Sequence, residues 1–264
     1  MSWRADLIAT WAFALRNLQM ASRNVFLLFE LLFWPVQGVL MIGLMARFFE
    51  MTPEQTSFIL IGQIAFSTVS VCQLDVAYAV LYDVWSKSVK HQFLAPVGVR
   101  HLTLGAWLVG VLRGLIVFAL LALCGHWAFG FNPFHAGLVP TMIFLAGCFL
   151  TGWAVSVFVC TLIMRLGAKA ETAAWASVNF VLTLSGMYYS IAVLPGPVAA
   201  VAAAIPLTYF LDAYRAYYGF RAEFSSPLLM GLALAAVYIA LSHWAMVSAV
   251  RSARRSGLLL KMSE

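Results

Sequence analysis

The chain has 264 residues, 63% of them hydrophobic and only 10% charged, with a formal net charge of +6. A water-soluble domain of this length carries about a quarter of its residues as charges to cover its surface, so the composition excludes one and indicates a polytopic membrane protein. In such a protein basic residues record orientation, and the excess meets none of the tests for a nucleic-acid-binding face.

At the start, Arg4 precedes the apolar stretch LIATWAFAL. A signal peptide is not expected, because no small-residue cleavage site follows and Asp6 sits where the basic region should be. Leu7, Ile8, Trp11, Leu15 and Leu18 instead recur at helical spacing, with Arg4, Arg16, Asn17 and Arg23 at polar positions. That pattern predicts an amphipathic helix over residues 1–23 lying in the membrane interface, or equally a first helix packed on its neighbours.

Apolar runs of the roughly 20 residues needed to cross a bilayer then recur. They predict spans at 25–49, 57–81, 102–129, 138–164, 172–189 and 228–250. The fold class expected is therefore an all-α membrane domain of six transmembrane helices, undivided over 1–264, with spans one to five inside 24–189 and a basic tail at 251–264. Cys72, Cys124, Cys148 and Cys160 all fall inside spans with no CxxC pair, so they read as packing residues.

With the N-terminus placed in the cytoplasm, twelve Lys and Arg fall on the cytoplasmic side. Only Arg47, Arg215 and Arg221 fall outside. That asymmetry puts both termini inside. Three charges lie within spans. Counted at about 1.5 Å per residue from the cytoplasmic ends, Glu30 and Asp75 sit roughly 10 Å in and Arg113 roughly 16 Å. Such charges face a cavity or each other, which leaves two readings: Arg113 contributes an entry site for an anionic head group, or it pairs with a carboxylate and fixes helix packing.

Residues 190–221 differ from their surroundings. SIAVLPGPVAAVAAAI is apolar but too short to span comfortably, and Pro206 then opens PLTYFLDAYRAYYGF. If both halves crossed the bilayer, Asp212 would be deeply buried. A re-entrant helical hairpin dipping into the outer leaflet fits better, with Pro206 in the first turn of its second helix; an ordinary outer loop helix is the alternative. Asp212 and Arg215, three residues apart, are expected to pair near the outer surface. Tyr188, Tyr189 and Tyr209 belong to an aromatic cluster at that end, where tyrosine commonly serves as an interface anchor.

No chemistry of its own is visible. A phosphate-cradling loop needs glycine before lysine, yet none of Lys87, Lys90, Lys169 and Lys261 follows a glycine. No HExxH or GxSxG arrangement exists, and the five histidines are scattered. Secondary transport, the alternative to an ATP-driven mechanism, calls for acids near the midplane and internal repeats; neither is evident.

The ordering LSGMYYSIAVLPGPVAAVAAAIPLTYFLDAYRAYYGF, together with LAPVGVR before the third span, resembles type-2 ABC exporter permeases, the ABC-2-type transporter family. The resemblance covers the whole chain. It implies a permease dimer, a homodimer here, that moves a lipid, a lipid-linked glycan or an amphipathic drug out of a bacterial inner membrane. It also implies two copies of a separate ATP-binding subunit, which holds ATP and magnesium, so that this chain is not itself an enzyme. Coupling would run through a short helix in the 82–101 loop carrying Trp85, Lys87, Lys90 and Phe93, although those lysines also satisfy the positive-inside rule. Where the family often has an acid in that loop the chain has Lys90, His91 and Gln92, so a docking salt bridge built on that acid is either missing here or of reversed sign. The resemblance further places Tyr188, Tyr189, Pro206, Tyr209, Asp212 and Arg215 in an outer gate.

Overall fold

The computed structural model describes residues 3–23, 25–88, 97–167 and 171–255. Nine α-helices, and no strand, occur among them: α1 (Trp3–Arg23), α2 (Val25–Phe48), α3 (Pro53–Trp85), α4 (Val99–Phe129), α5 (Leu138–Leu166), α6 (Glu171–Leu184), α7 (Gly196–Ala203), α8 (Pro206–Arg215) and α9 (Pro227–Arg255). In hydrocarbon every backbone N–H and C=O must be satisfied within the segment, and the helix is the open-chain structure that does so. Punctuation in the sequence sets the boundaries. Thr52 caps α3 by accepting a hydrogen bond from the Gln55 N–H at 3.2 Å, and the Gln55 side chain returns one from the Thr52 N–H at 3.0 Å. Pro53, Pro206 and Pro227 stand first in α3, α8 and α9, where a missing N–H costs nothing.

Five helices, α2, α3, α4, α5 and α9, are long and apolar enough to cross a bilayer. The predicted fifth span is shorter than expected: α6 ends at Leu184 after 14 residues, about 21 Å of helix, and a turn at 185–190 carries the chain onward. α3 is the central post, with most of its span buried, whereas α9 lies at the periphery. Between apolar helices in lipid, close backbone approach supplies what the hydrophobic effect does not. Gly105 of α4 shows this: a Cβ there would stand 2.6 Å from Phe13 Cβ and 2.7 Å from the Thr10 carbonyl oxygen, so only glycine lets α1 lie flat on α4. Gly62 does the same for α3, where a Cβ would overlap the Met187 carbonyl.

α1 buries Ala14, Asn17 and Ala21 and turns Trp3, Leu7, Ile8, Trp11, Leu15 and Leu18 outward. The helical spacing of the predicted apolar face is thus present, and that face is not used for packing inside the chain.

α7 and α8 are 8 and 10 residues long and meet at 90°. Residues 201–206 at their junction lie beside Thr151 and Ala154 of α5 and Leu241 of α9, near the middle of both long helices. The far end of α8 lies beside residues 132–133 and Thr141, at the end of the bundle where α4 gives way to α5. Ser190 and Asp212 meet residues 223–224 at that same end. Chain therefore descends to mid-bundle and returns, a hairpin rather than a crossing.

Candidate functional site

Ion pairs tie α1 to the two helices that flank segment 86–98. Arg16 meets Asp83 at 2.6 Å. Arg100 and His101, in the first turn of α4, both reach Asp6 Oδ1, at 2.9 and 3.0 Å. The Gly98 N–H donates to His101 Nδ1 at 2.9 Å, so the proton on the ring sits at Nε2 and points to Asp6. These pairs join residues 67 to 95 positions apart; the only hint in the sequence was an isolated acid at each site.

The same two helices carry the mid-bundle charges. Asp75 Oδ1 accepts a hydrogen bond from Arg113 Nη1, with both side chains 8% exposed. The carboxylate partner foreseen for Arg113 is thus found on α3. Glu30 lies on α2, but its side chain is outside the described residues. The Asp75–Arg113 pair forms one wall of an open cavity of about 460 Å³ between α2, α3, α4 and α6, with Trp34, Phe66, Ser70, Gln73 and Asn179 among its other walls.

Of the loop residues expected to dock a partner, Trp85 and Lys87 are described and Lys90 and Phe93 lie outside the described residues. The short helix carrying all four is corrected in part. Trp85 is the last residue of α3, packed on the rings of Tyr78 and Tyr82 at 6.0 and 5.4 Å. Lys87 follows in the turn beyond it with φ +56°, a left-handed conformation that ends a helix. Both side chains are exposed.

At the hairpin end the expected Asp212–Arg215 pair does not form. Arg215, 5% exposed, donates instead to the carbonyls of Gly186 at 2.7 Å, Phe58 at 3.1 Å and Met187, and its guanidinium lies 3.5 Å over the Phe58 ring. Gly186 and Met187 follow the C-terminus of α6, where free carbonyls gather negative charge, and a planar fork serves several of them at once. Asp212 turns the other way and accepts from the backbone N–H groups of Glu223 at 3.0 Å and Phe224 at 3.2 Å. It caps a turn rather than bonding to the guanidinium.

Tyr188, Tyr189 and Tyr209, expected as interface anchors, and Tyr214 beside them all bond to groups of the chain itself. Tyr188 donates to Gln63, Tyr189 to the Thr183 carbonyl, Tyr209 to the Ala203 carbonyl at 2.8 Å, and Tyr214 to the Pro133 carbonyl. Tyr209 is buried and holds the hairpin's own turn, away from the bundle's end.

Compared with known families, the chain matches the model described as ABC-2 type transporter over residues 8–219. Compared with curated proteins, it has no match.

Proposed function

Because the chain belongs to the ABC-2 type transporter family, a group of membrane transport components, we propose that it is the permease subunit of an ATP-driven exporter, working as a homodimer with two copies of a separate ATP-binding subunit that carries ATP and magnesium. Its cargo in this reading is an amphiphile (a lipid, a lipid-linked glycan or an apolar drug) taken from the cytoplasm or inner leaflet of a bacterial inner membrane.

One observation carries the proposal. The cavity walled by Asp75 and Arg113 is built on α3 and α4, the two helices that flank segment 86–98. From Trp85 to Asp75 is ten residues of unbroken helix, about 15 Å, and from His101 to Arg113 twelve residues, about 18 Å. Helices transmit displacement as rods. A push on the segment by an ATP-binding subunit therefore shears the two halves of the pair past one another and reshapes the cavity. Asp6, Arg16, Asp83 and Arg100 bind α1 to both rods, so the three elements move together.

The excess of basic residues around α1, segment 86–98 and the C-terminal tail supports a cytoplasmic location for that end and for both termini. The hairpin then enters and leaves the bilayer on the outer side. Its short helices, closed by Pro206 and Tyr209 at mid-depth and by Arg215 at the rim, suit an outer gate, since irregular backbone is tolerated at membrane depth where protein surrounds it. Tyr188 and Tyr189 flank that rim. The outward stripe of α1, with Trp3 and Trp11, suits the lipid interface.

Affinity isolation of the tagged chain from its native membrane tests the reading. An ATP-binding subunit is expected in equal amount with the permease, and Trp85→Ala is expected to lower its recovery or its stimulated hydrolysis. A chain that transports as an isolated species, driven by an ion gradient, would overturn it.

A further inference from the structure

Three walls of the α2–α3–α4–α6 cavity meet again one turn nearer the hairpin end. On α2 the lining stops at Pro35, and Gly38 stands one turn further along. On α3 it stops at Phe66 and Ser67, and Gln63 stands one turn beyond. Past Asn179, α6 gives way after Leu184 to the turn that carries Tyr188.

These next residues close on one another. Tyr188 donates to Gln63 Oε1, and Gln63 Nε2 donates to Ser67 Oγ at 3.3 Å. A Cβ on Gly38 would stand 2.2 Å from Gln63 Nε2, so glycine is what lets α2 close on that amide. Gln63 is buried with its oxygen and nitrogen both engaged, and Ser67 beneath it lines the cavity. The amide oxygen is paired only while the phenol stays in place, which gives the contact two distinct states.

The movable part is the phenol. The Met187 carbonyl beside it accepts from Arg215 and lies where a Cβ on Gly62 would fall. Backbone under Tyr188 is thus pinned to α3 and α8, while the Tyr188 side chain is 38% exposed. A change of its rotamer takes the hydroxyl off Gln63 without moving a helix.

We infer that the Tyr188–Gln63 hydrogen bond, seated on Gly38, seals the cavity from the hairpin end, and that swinging of the Tyr188 side chain unseals it. The inference rests on the permease reading and adds to it the contact that parts the cavity from the outer side. Tyr188 closes the path, and Gln63 and Gly38 position its hydroxyl.

Right-side-out membrane vesicles holding the assembled complex provide the test, with Ser70→Cys as reporter in a chain whose four cysteines are alanine. Without nucleotide, a membrane-impermeant maleimide added outside should label the reporter slowly. Tyr188→Phe, which keeps the ring and removes the donor, should raise that rate about tenfold. Gln63→Met should do the same, and the two together no more than either alone, because they remove one bond. A role in packing alone would lower the melting temperature and leave the rate unchanged. Should these variants not fold, Gln63→Cys with Tyr188→Cys decides: a short bifunctional methanethiosulfonate should join the two positions without nucleotide and stop transport until it is reduced. A rate indifferent to Tyr188→Phe in folded protein, rises that multiply in the double variant, or transport that continues with the two positions joined would overturn the inference. Raised labelling in a complex without ATP-driven export would keep the seal and end the permease reading; ATP-driven export with indifferent labelling would do the opposite.

Discussion

Arg16 of α1 and Asp83 in the last turn of α3 form an ion pair of 2.6 Å that joins the two ends of a 67-residue stretch of chain. Ser88 adds a hydrogen bond to the same carboxylate oxygen at 3.1 Å. The pair sits about two helical turns from Asp75 on the same helix, so whatever moves α1 moves the cavity wall.

Replacing Arg16 or Asp83 by alanine should therefore loosen α1 without emptying the membrane core. Arg16 is 31% exposed, and water screens such a pair, so a double-mutant cycle on thermal unfolding should give a coupling energy of about 1 kcal/mol. Transport should suffer more than stability. ATP hydrolysis by the complex should persist while vesicle transport falls, and the exchange Arg16→Asp with Asp83→Arg should restore it. Equal losses of hydrolysis and folding in both single variants would place the pair in packing alone.

The other tether depends on pH in a defined direction. The His101 hydrogen bond holds the Asp6 carboxyl below the usual aspartate range, against an upward push from burial that exceeds the help it receives from the Arg100 guanidinium. A group whose value is lowered by folding contributes its full stability above its unfolded value, about 3.9, and loses it as pH falls through the lower folded value. A spin label at Ser22 should thus report α1 held down from neutral pH to about 4, and released below that. Asp6→Asn should abolish the acid step. Release at about pH 6, where histidine commonly titrates, would contradict this assignment.

The long helices were legible because spanning a bilayer leaves a crude mark: about 20 apolar residues between polar ends. The hairpin was legible from Pro195, Pro197 and Pro206, which interrupt an apolar stretch too short to cross twice. The partnership of Asp75 with Arg113 could be foreseen in kind, since buried charges seek one another. Arg215 could not be read in the same way. Spacing put Asp212 within reach, yet the carbonyls past the end of α6 come from a distant turn and outcompete it. Asp6 and Asp83 escaped for a similar reason: nothing local shows that α1 lies along α4 and reaches the end of α3. α6 ended early because its last turn gives way to the Ser185–Gly186 turn, with Gly186 at φ +76°, a conformation the apolar pattern does not encode.

Arg215 gives a prediction about the hairpin. Lysine has one compact ammonium in place of a planar fork, so Arg215→Lys leaves at least one of the Gly186, Phe58 and Met187 carbonyls without its donor. Each such loss costs about 1–3 kcal/mol. The variant should unfold at lower temperature in detergent and expose residues 185–192 to protease. Asp212→Asn should do far less, because an asparagine oxygen still accepts from Glu223 and Phe224. Equal damage from both would restore the ion pair that the geometry excludes.

Export in this reading requires a cavity that faces one side of the membrane and then the other at the expense of ATP hydrolysed elsewhere. Ser70, half-buried in its wall, can report this in a chain whose four cysteines have been replaced by alanine. In the assembled complex, Ser70→Cys should react with a membrane-impermeant maleimide from the cytoplasmic side without nucleotide, and from the outer side when ATP and vanadate trap the ATP-binding subunits. Labelling from one side only, unchanged by nucleotide, would contradict the account.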